Sequence, residues 1–198
     1  MQICDLIFVE QPAWAVRIPN GREEASKFFP PEVSQCFKEA GLLKSWDDNV
    51  VEWWDQLAIA TRSTKSALGL ITGRLAEKLT IKHEIKRTGV EPHWQSLESN
   101  FSGYDILSQV DKSNETPRKI EVKGSTLSIK EAFFTVSRNE WETAETAKSY
   151  SFHLWCLKGD PFLIEVTFDE MKEHIPTNNG DGKWETTRIP FKIFHHPR

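Results

Sequence analysis

The 198-residue sequence predicts an α/β fold in which a central mixed sheet is flanked by helices, with a smaller α/β extension at the N-terminus. Two observations carry this. Between Thr64 and Lys86 there is no proline, and Leu68, Ile71, Leu75 and Leu79 recur at helical spacing. Beyond Gly89 the texture changes to short apolar runs separated by Gly, Ser, Asn and Pro, which is the pattern of strands and turns.

Taken in order, Ile3–Val9 and Ala13–Ile18 are short apolar runs separated by Glu10-Gln11-Pro12 and read as two strands or a loose hairpin. Pro30-Pro31 opens a short helix in which Val33, Phe37 and Ala40 share a face, and Gly41 supplies its stop. Ser45 with Asp48 three positions later resembles a helix cap, followed by a stripe of Val50, Trp53, Trp54 and Leu57 that reads as core packing. The long helix runs from Thr64 to Lys86 and ends at Thr88-Gly89. Strands are expected over 90–97, 104–110, 119–123 and 132–137, which in succession read as a β-meander. A helix over Arg138–Lys148, strands over 151–157 and 162–167, helical turns over Asp169–His174 and a final strand within Trp184–Phe194 complete the chain. No repeat or linker interrupts it, so residues 1–62 are expected to pack as an extension on a domain spanning 63–198.

The composition narrows the function. A net charge of -4 and a pI near 5.9 exclude coating of nucleic acid by bulk positive charge, so any nucleic-acid contact has to come from a local patch. Arg17, Arg22 and Lys27, interleaved with Trp14, Phe28 and Phe29, offer one candidate patch, although core aromatics beside surface charges give the same pattern. Cys4, Cys36 and Cys156 have neither disulfide nor zinc spacing, which suits a reducing cytoplasm. The N-terminus lacks a basic leader and no long apolar run occurs, so neither secretion nor membrane insertion is expected. The six histidines show no metal-ligand spacing, and most of them are expected at the surface or half buried. There is no Gly-rich phosphate loop, dinucleotide fingerprint or nucleophile elbow.

Chemistry concentrates in Gly103-Tyr104-Asp105-Ile106-Leu107 and Lys119-Ile120-Glu121-Val122-Lys123-Gly124, joined by a polar turn through Asp111–Pro117. In a strand, Glu121 and Lys123 project to one face while Ile120 and Val122 face the other. Closing the hairpin brings Asp105 to the same neighbourhood, giving two carboxylates and an amine at one end of a sheet. Such a set suits phosphodiester hydrolysis. Two carboxylates can fix a hard cation such as Mg2+ or Mn2+, and a lysine beside it can position water or stabilise the transition state.

Asp105 followed sixteen residues later (121 minus 105) by Glu-x-Lys on an apolar strand resembles the PD-(D/E)XK nuclease signature, and helix before strands resembles that superfamily's restriction-endonuclease-like core. More narrowly, Gly-Tyr-Asp-Ile, Ile-Glu-Val-Lys-Gly and Phe134-Thr135-Val136-Ser137-Arg138-Asn139-Glu140-Trp141 are similar to the family named for the C-terminal domain of the plant NO VEIN protein, over about Leu68 to Leu157. Tyr104 stands where the superfamily signature has proline. The resemblance implies Asp105 and Glu121 as metal ligands, Lys123 as the catalytic lysine, and Glu77 of Gly73-Arg74-Leu75-Ala76-Glu77 as the helical acid of the core. It implies a Mg2+-dependent (or Mn2+-dependent) endonuclease acting on nucleic acid, double-stranded DNA first, in a restriction or defence setting. A homodimer on DNA is then expected, since duplex cleavage needs a cut on each strand. An RNA-directed nuclease, or a binding module that kept the scaffold without catalysis, is the alternative.

Overall fold

The structure, a computed structural model, describes residue 7 and residues 12–60, 64–180 and 182–195. The chain divides into two compact units, Met1–Ile71 with Ser96–Asn100, and Thr72–Gln95 with Phe101–Arg198. Among the described residues no helix is long and apolar enough to cross a membrane.

The described part of the first unit is helical. A 3-10 helix spans Ala13–Asn20, followed by α1 (Arg22–Ser26), α2 (Pro31–Glu39) and α3 (Asp48–Ala60). The strand expected at Ala13–Ile18 is therefore corrected, while Ile3–Val9 lies outside the described residues except for Ile7. The reason is visible in the burial: Ala15 and Ile18 face inward with Val16 exposed, a spacing of three that a 3-10 turn satisfies and a two-residue strand period does not. Pro31 occupies the first turn of α2, where a missing N–H costs nothing, and Gly41 follows the helix in the left-handed region. Ser45 does not cap α3; its hydroxyl donates to Asp47 Oδ2 and accepts from the Asp47 N–H.

Aromatic rings fill this unit. Phe37 is buried with Phe29 at 4.7 Å, Trp53 at 5.4 Å, Trp54 at 5.7 Å and Trp14 at 6.0 Å between ring centroids. The six basic and aromatic residues read as a candidate patch divide in two: Trp14, Phe29 and Arg22 are committed to structure, whereas Arg17, Lys27 and Phe28 are exposed, with the Arg17 guanidinium 4.7 Å over the Phe28 ring. Trp14 and Phe29 pack against the core, and buried Arg22 pairs with Glu98, which also accepts from Trp46 Nε1 at 3.0 Å.

The second unit carries the sheet. α4 (Thr64–Thr88) is the predicted long helix, and the division between the units falls within it. β1 (His93–Trp94) is followed by the short helix α5 (Gln95–Glu98), where a longer strand over 90–97 is expected from sequence. β2 (Ile106–Gln109), β3 (Pro117–Ser125), β5 (Tyr150–Cys156) and β6 (Phe162–Thr167) complete a five-stranded sheet in the order β1-β2-β3-β5-β6. All pairs are antiparallel except β3 with β5, so the sheet is mixed, as predicted. The meander is corrected in one respect. β4 (Phe133–Ser137) leaves the sheet to pair with β7 (Thr186–Pro190), and α6 (Arg138–Thr146) returns the chain to β5 parallel to β3. β5, between β3 and β6, has every one of its residues buried, which suits a strand covered on both faces. The helical turns expected after Asp169 form α7 (Phe168–Lys172), and the tail is β7 plus a 3-10 turn over Phe191–Phe194.

Alternation along β5 assigns the two faces. Tyr150, Phe152 and Leu154 join Phe134, Val136, Trp141 and Phe191 in the main core, whereas Trp155 points the other way, its Nε1 donating to Thr80 Oγ1 on α4 at 2.8 Å. The buried face of α4 here is Ala76, Glu77, Thr80, Glu84 and Thr88 rather than the apolar stripe, whose Leu68, Ile71 and Leu75 are exposed. Gly124 at the end of β3 permits this approach: a Cβ there meets Ala76 Cβ at 2.9 Å and the Thr72 carbonyl at 3.1 Å. Gly124→Ala is expected to destabilise the protein by about 1–3 kcal/mol in urea unfolding, and Ala76→Gly in the same chain to recover part of the loss through a coupling that additivity does not predict. Strict additivity of the two changes would mean that the helix is not held at this contact.

Candidate active site

The geometry begins where β2 stops pairing with β3. Their ladder starts at Ile106 opposite Ile120, which leaves the next outward N–H of β3, that of Val122, without a strand partner. The Asp105 carboxylate takes it: Val122 N–H donates to Asp105 Oδ2 at 2.8 Å, while the Asp105 N–H donates to the Ile120 carbonyl at 2.9 Å. Asp105 is thereby fixed in the plane of the sheet, between its two faces.

Two further contacts aim this segment. Gly103 lies so close to α6 that a Cβ would sit 2.2 Å from Thr143 Oγ1 and 2.9 Å from the Asn139 carbonyl, and its φ of 71° is itself a glycine conformation. Its carbonyl accepts from the buried Tyr150 hydroxyl at 2.7 Å. Gly-Tyr-Asp therefore presses the strand entry against α6, and Asp105 reaches the cluster as a result.

Glu121 and Lys123 project to the face of the sheet that Phe152 shares, because Glu121 is level with Phe152 in the parallel ladder. The Lys123 ammonium donates to Glu121 Oε1 at 2.7 Å and to Glu140 Oε1 at 2.8 Å. Glu77, from α4, accepts from Arg74 Nη1 at 2.6 Å and from Trp94 Nε1. All four residues singled out from the sequence lie in the second unit, where Asp105 feels the charges of both Glu77 and Lys123. Glu140 is the member that sequence reasoning did not pick: it stands in the Asn-Glu-Trp motif, but its reach depends on how β4 leaves the sheet.

The cluster has more acidic than basic groups, with Asp105, Glu121, Glu140 and Glu77 set against Lys123 and Arg74. Desolvation, then repulsion from Glu77, pushes the Asp105 carboxyl up to about 7 despite the attraction of Lys123 and the Val122 N–H. Desolvation and the Asp105 charge raise Glu121 well above the carboxylate range. Burial opposes the charge on Lys123, but Glu121, Glu140 and Asp105 outweigh it and hold the ammonium above the usual lysine range. For Glu140 burial is the largest single influence and raises it, but the Lys123 charge together with hydrogen bonds from Glu121, Lys123 and the Ser137 N–H outweighs burial and lowers it below the usual carboxylate value.

This donor set fits a hard divalent cation. Buried carboxylate oxygens in excess of their counter-charges gain from one, and Mg2+ ordinarily takes one or two carboxylates and fills its remaining positions with water and phosphate. Among the described residues no group of three or more His, Cys, Asp or Glu side chains is placed to hold a metal ion, so a cation here would rest on two protein ligands at most. Asp105 and Glu121 would be the protein ligands.

One histidine departs from the expected surface placement. His153, on the α4 face of β5, is fully buried, and among the described residues neither ring nitrogen has a hydrogen-bond partner. Burial lowers its pKa to about 4, so it is neutral, with Glu165 3.8 Å and His83 5.7 Å (ring to ring) away.

The raised Asp105 pKa has a consequence for stability. A carboxyl whose folded value of about 7 exceeds its ordinary 3.8 adds stability below the lower value, and that contribution is lost as pH rises through the window to about 7. Without divalent metal, Asp105→Asn, which keeps an acceptor for Val122 N–H, is expected to be more stable than wild type by roughly 1–4 kcal/mol at about pH 8 and to differ little at about pH 4. Calorimetric melting in chelator measures this, and a variant less stable than wild type at the higher pH contradicts it.

No curated protein and no solved structure matches the chain. Residues 76–166, which carry Glu77, Asp105, Glu121, Lys123 and Glu140, match the family described as Protein NO VEIN, C-terminal.

Proposed function

We propose that the chain is a Mg2+- or Mn2+-dependent endonuclease of the PD-(D/E)XK type that hydrolyses phosphodiester bonds, with double-stranded DNA as its substrate. The observation that carries this reading is the convergence of Asp105, Glu121 and Lys123 in one cluster with a surplus of buried carboxylate. A restriction or defence setting follows from the superfamily resemblance alone.

Asp105 and Glu121 would hold the cation, which when bound lowers the pKa of a water and offsets charge growing on the phosphate. The chain's own residues do the rest. Asp105 is kept in register by the Val122 N–H, which holds one carboxylate oxygen and leaves the other for a ligand. Lys123, held as an ammonium in the metal-free site, is a fixed positive charge: it orients the attacking water or a phosphate oxygen and stabilises charge in the transition state. Glu77, anchored by Arg74 and Trp94, adds negative charge beside Asp105 and strengthens the demand for a cation.

Three proteins and three substrates test this. Wild type, Lys123→Ala and Glu121→Gln are incubated with plasmid, single-stranded DNA and RNA, with Mg2+, Mn2+ or chelator, and binding of the metal is followed by calorimetry. Lys123→Ala is expected to lose at least about a hundredfold in cleavage rate while still binding metal, because it acts on the transition state; Glu121→Gln loses both. Cleavage by Lys123→Ala within a few-fold of wild type would remove the assigned mechanism. A wild type that cleaves none of the substrates but binds duplex more tightly after Glu121→Gln would make the chain a binding module instead.

A further inference from the structure

We propose that Glu140 is the positioning residue of this site, holding the Lys123 ammonium against Glu121 by anchoring it to the N-terminal cap of α6. The inference rests on the reading of Lys123 as the transition-state cation.

Among the described residues two capping boxes occur, at α6 and α7, and the glutamate of the α6 box also holds Lys123. At α7, Glu170 turns one oxygen, Oε2, back onto Thr167, accepting from its N–H at 2.8 Å and its hydroxyl at 2.7 Å. At α6, Glu140 Oε2 accepts the Ser137 N–H at 2.6 Å, and the Ser137 hydroxyl accepts the Glu140 N–H at 3.3 Å, so the box is complete with one carboxylate oxygen. The other oxygen, Oε1, takes Lys123. A cap has no use for that second bond.

The anchor is stiff. Ser137 is the last residue of β4 and pairs with Thr186 of β7, the Arg138 N–H donates to the Glu185 carbonyl at 2.9 Å, and Trp141, one residue on from Glu140, is buried and stacked on Phe168 at 4.8 Å. A lysine side chain has four rotatable bonds, and fixing all of them costs rotamer entropy. One contact with Glu121 leaves the ammonium free to swing about that point. The second contact, from a separate and rigid element, sets its position.

Glu140→Gln keeps the size and an oxygen acceptor for the cap but removes the charge; Glu170→Gln makes the same change at a cap that does not hold Lys123. The first readout needs neither metal nor substrate: proton–nitrogen NMR of lysine ammonium groups, with Lys123 assigned by loss of its signal in Lys123→Arg. A persistent Lys123 resonance is expected in wild type and in Glu170→Gln, and its disappearance by exchange in Glu140→Gln. The second readout is kinetic: Glu140→Gln is expected to lower kcat tenfold or more with KM within twofold, while Glu170→Gln cleaves as wild type does. Should Glu140→Gln fail to fold, Glu140→Asp, one methylene too short to span both partners, is read in the same way. A Lys123 resonance unchanged by Glu140→Gln, or absent from wild type, overturns the proposal. A wild type with no cleavage at all overturns the nuclease reading instead, and the resonance still decides the role of Glu140.

Discussion

The second unit of this protein is organised around one desolvated ammonium, that of Lys123, and the carboxylates it holds together. Glu121 and Glu140 reach it from a strand and from a helix cap, and Asp105 feels its charge from the sheet edge. Several acids so close together, two of them buried, repel one another, and Lys123 with Arg74 offsets part of that repulsion. Desolvation first, and then the Glu77 charge, raise the Asp105 carboxyl, and acids held in this way suit a site that takes a cation.

The surrounding fold serves that arrangement through close approaches. Gly124 lets α4 come within contact of β3, which brings Glu77 beside Trp94, and Gly103 lets the strand entry lie on α6, which brings Asp105 towards Glu121. Each approach depends on a missing Cβ. The buried face of α4 carries Glu77, Thr80, Glu84 and Thr88, so the helix is tied to the sheet by polar contacts such as that of Thr80 with Trp155, and Glu84 is paired within the helix by Arg87. Such contacts are directional, and they set rotation and register more sharply than apolar packing does.

Much of the site is readable from one dimension. Strand alternation alone puts Glu121 and Lys123 on one face, and the polar turn through Asp111–Pro117 returns the chain so that Asp105 meets them. What escapes is whatever depends on a non-local choice. That β4 pairs with β7 rather than β3 is decided by distant Thr186–Pro190, and the reach of Glu140 to Lys123 follows from that choice. The apolar stripe of α4 misleads about which face is buried, because Ala76 and Thr80 fit against the sheet where Leu75 does not. His153 reads as an unremarkable strand histidine because nothing local reports that β5 is covered on both faces.

Diffraction from crystals soaked in manganese, recorded at the manganese absorption edge, addresses the central claim most directly, since it locates a cation without requiring activity. A single anomalous peak between the carboxylates of Asp105 and Glu121, with Lys123 still held by Glu140, is the predicted result. No peak at that cluster, or a peak only beside His83, His153 and Glu165 on the opposite face of the sheet, would contradict it.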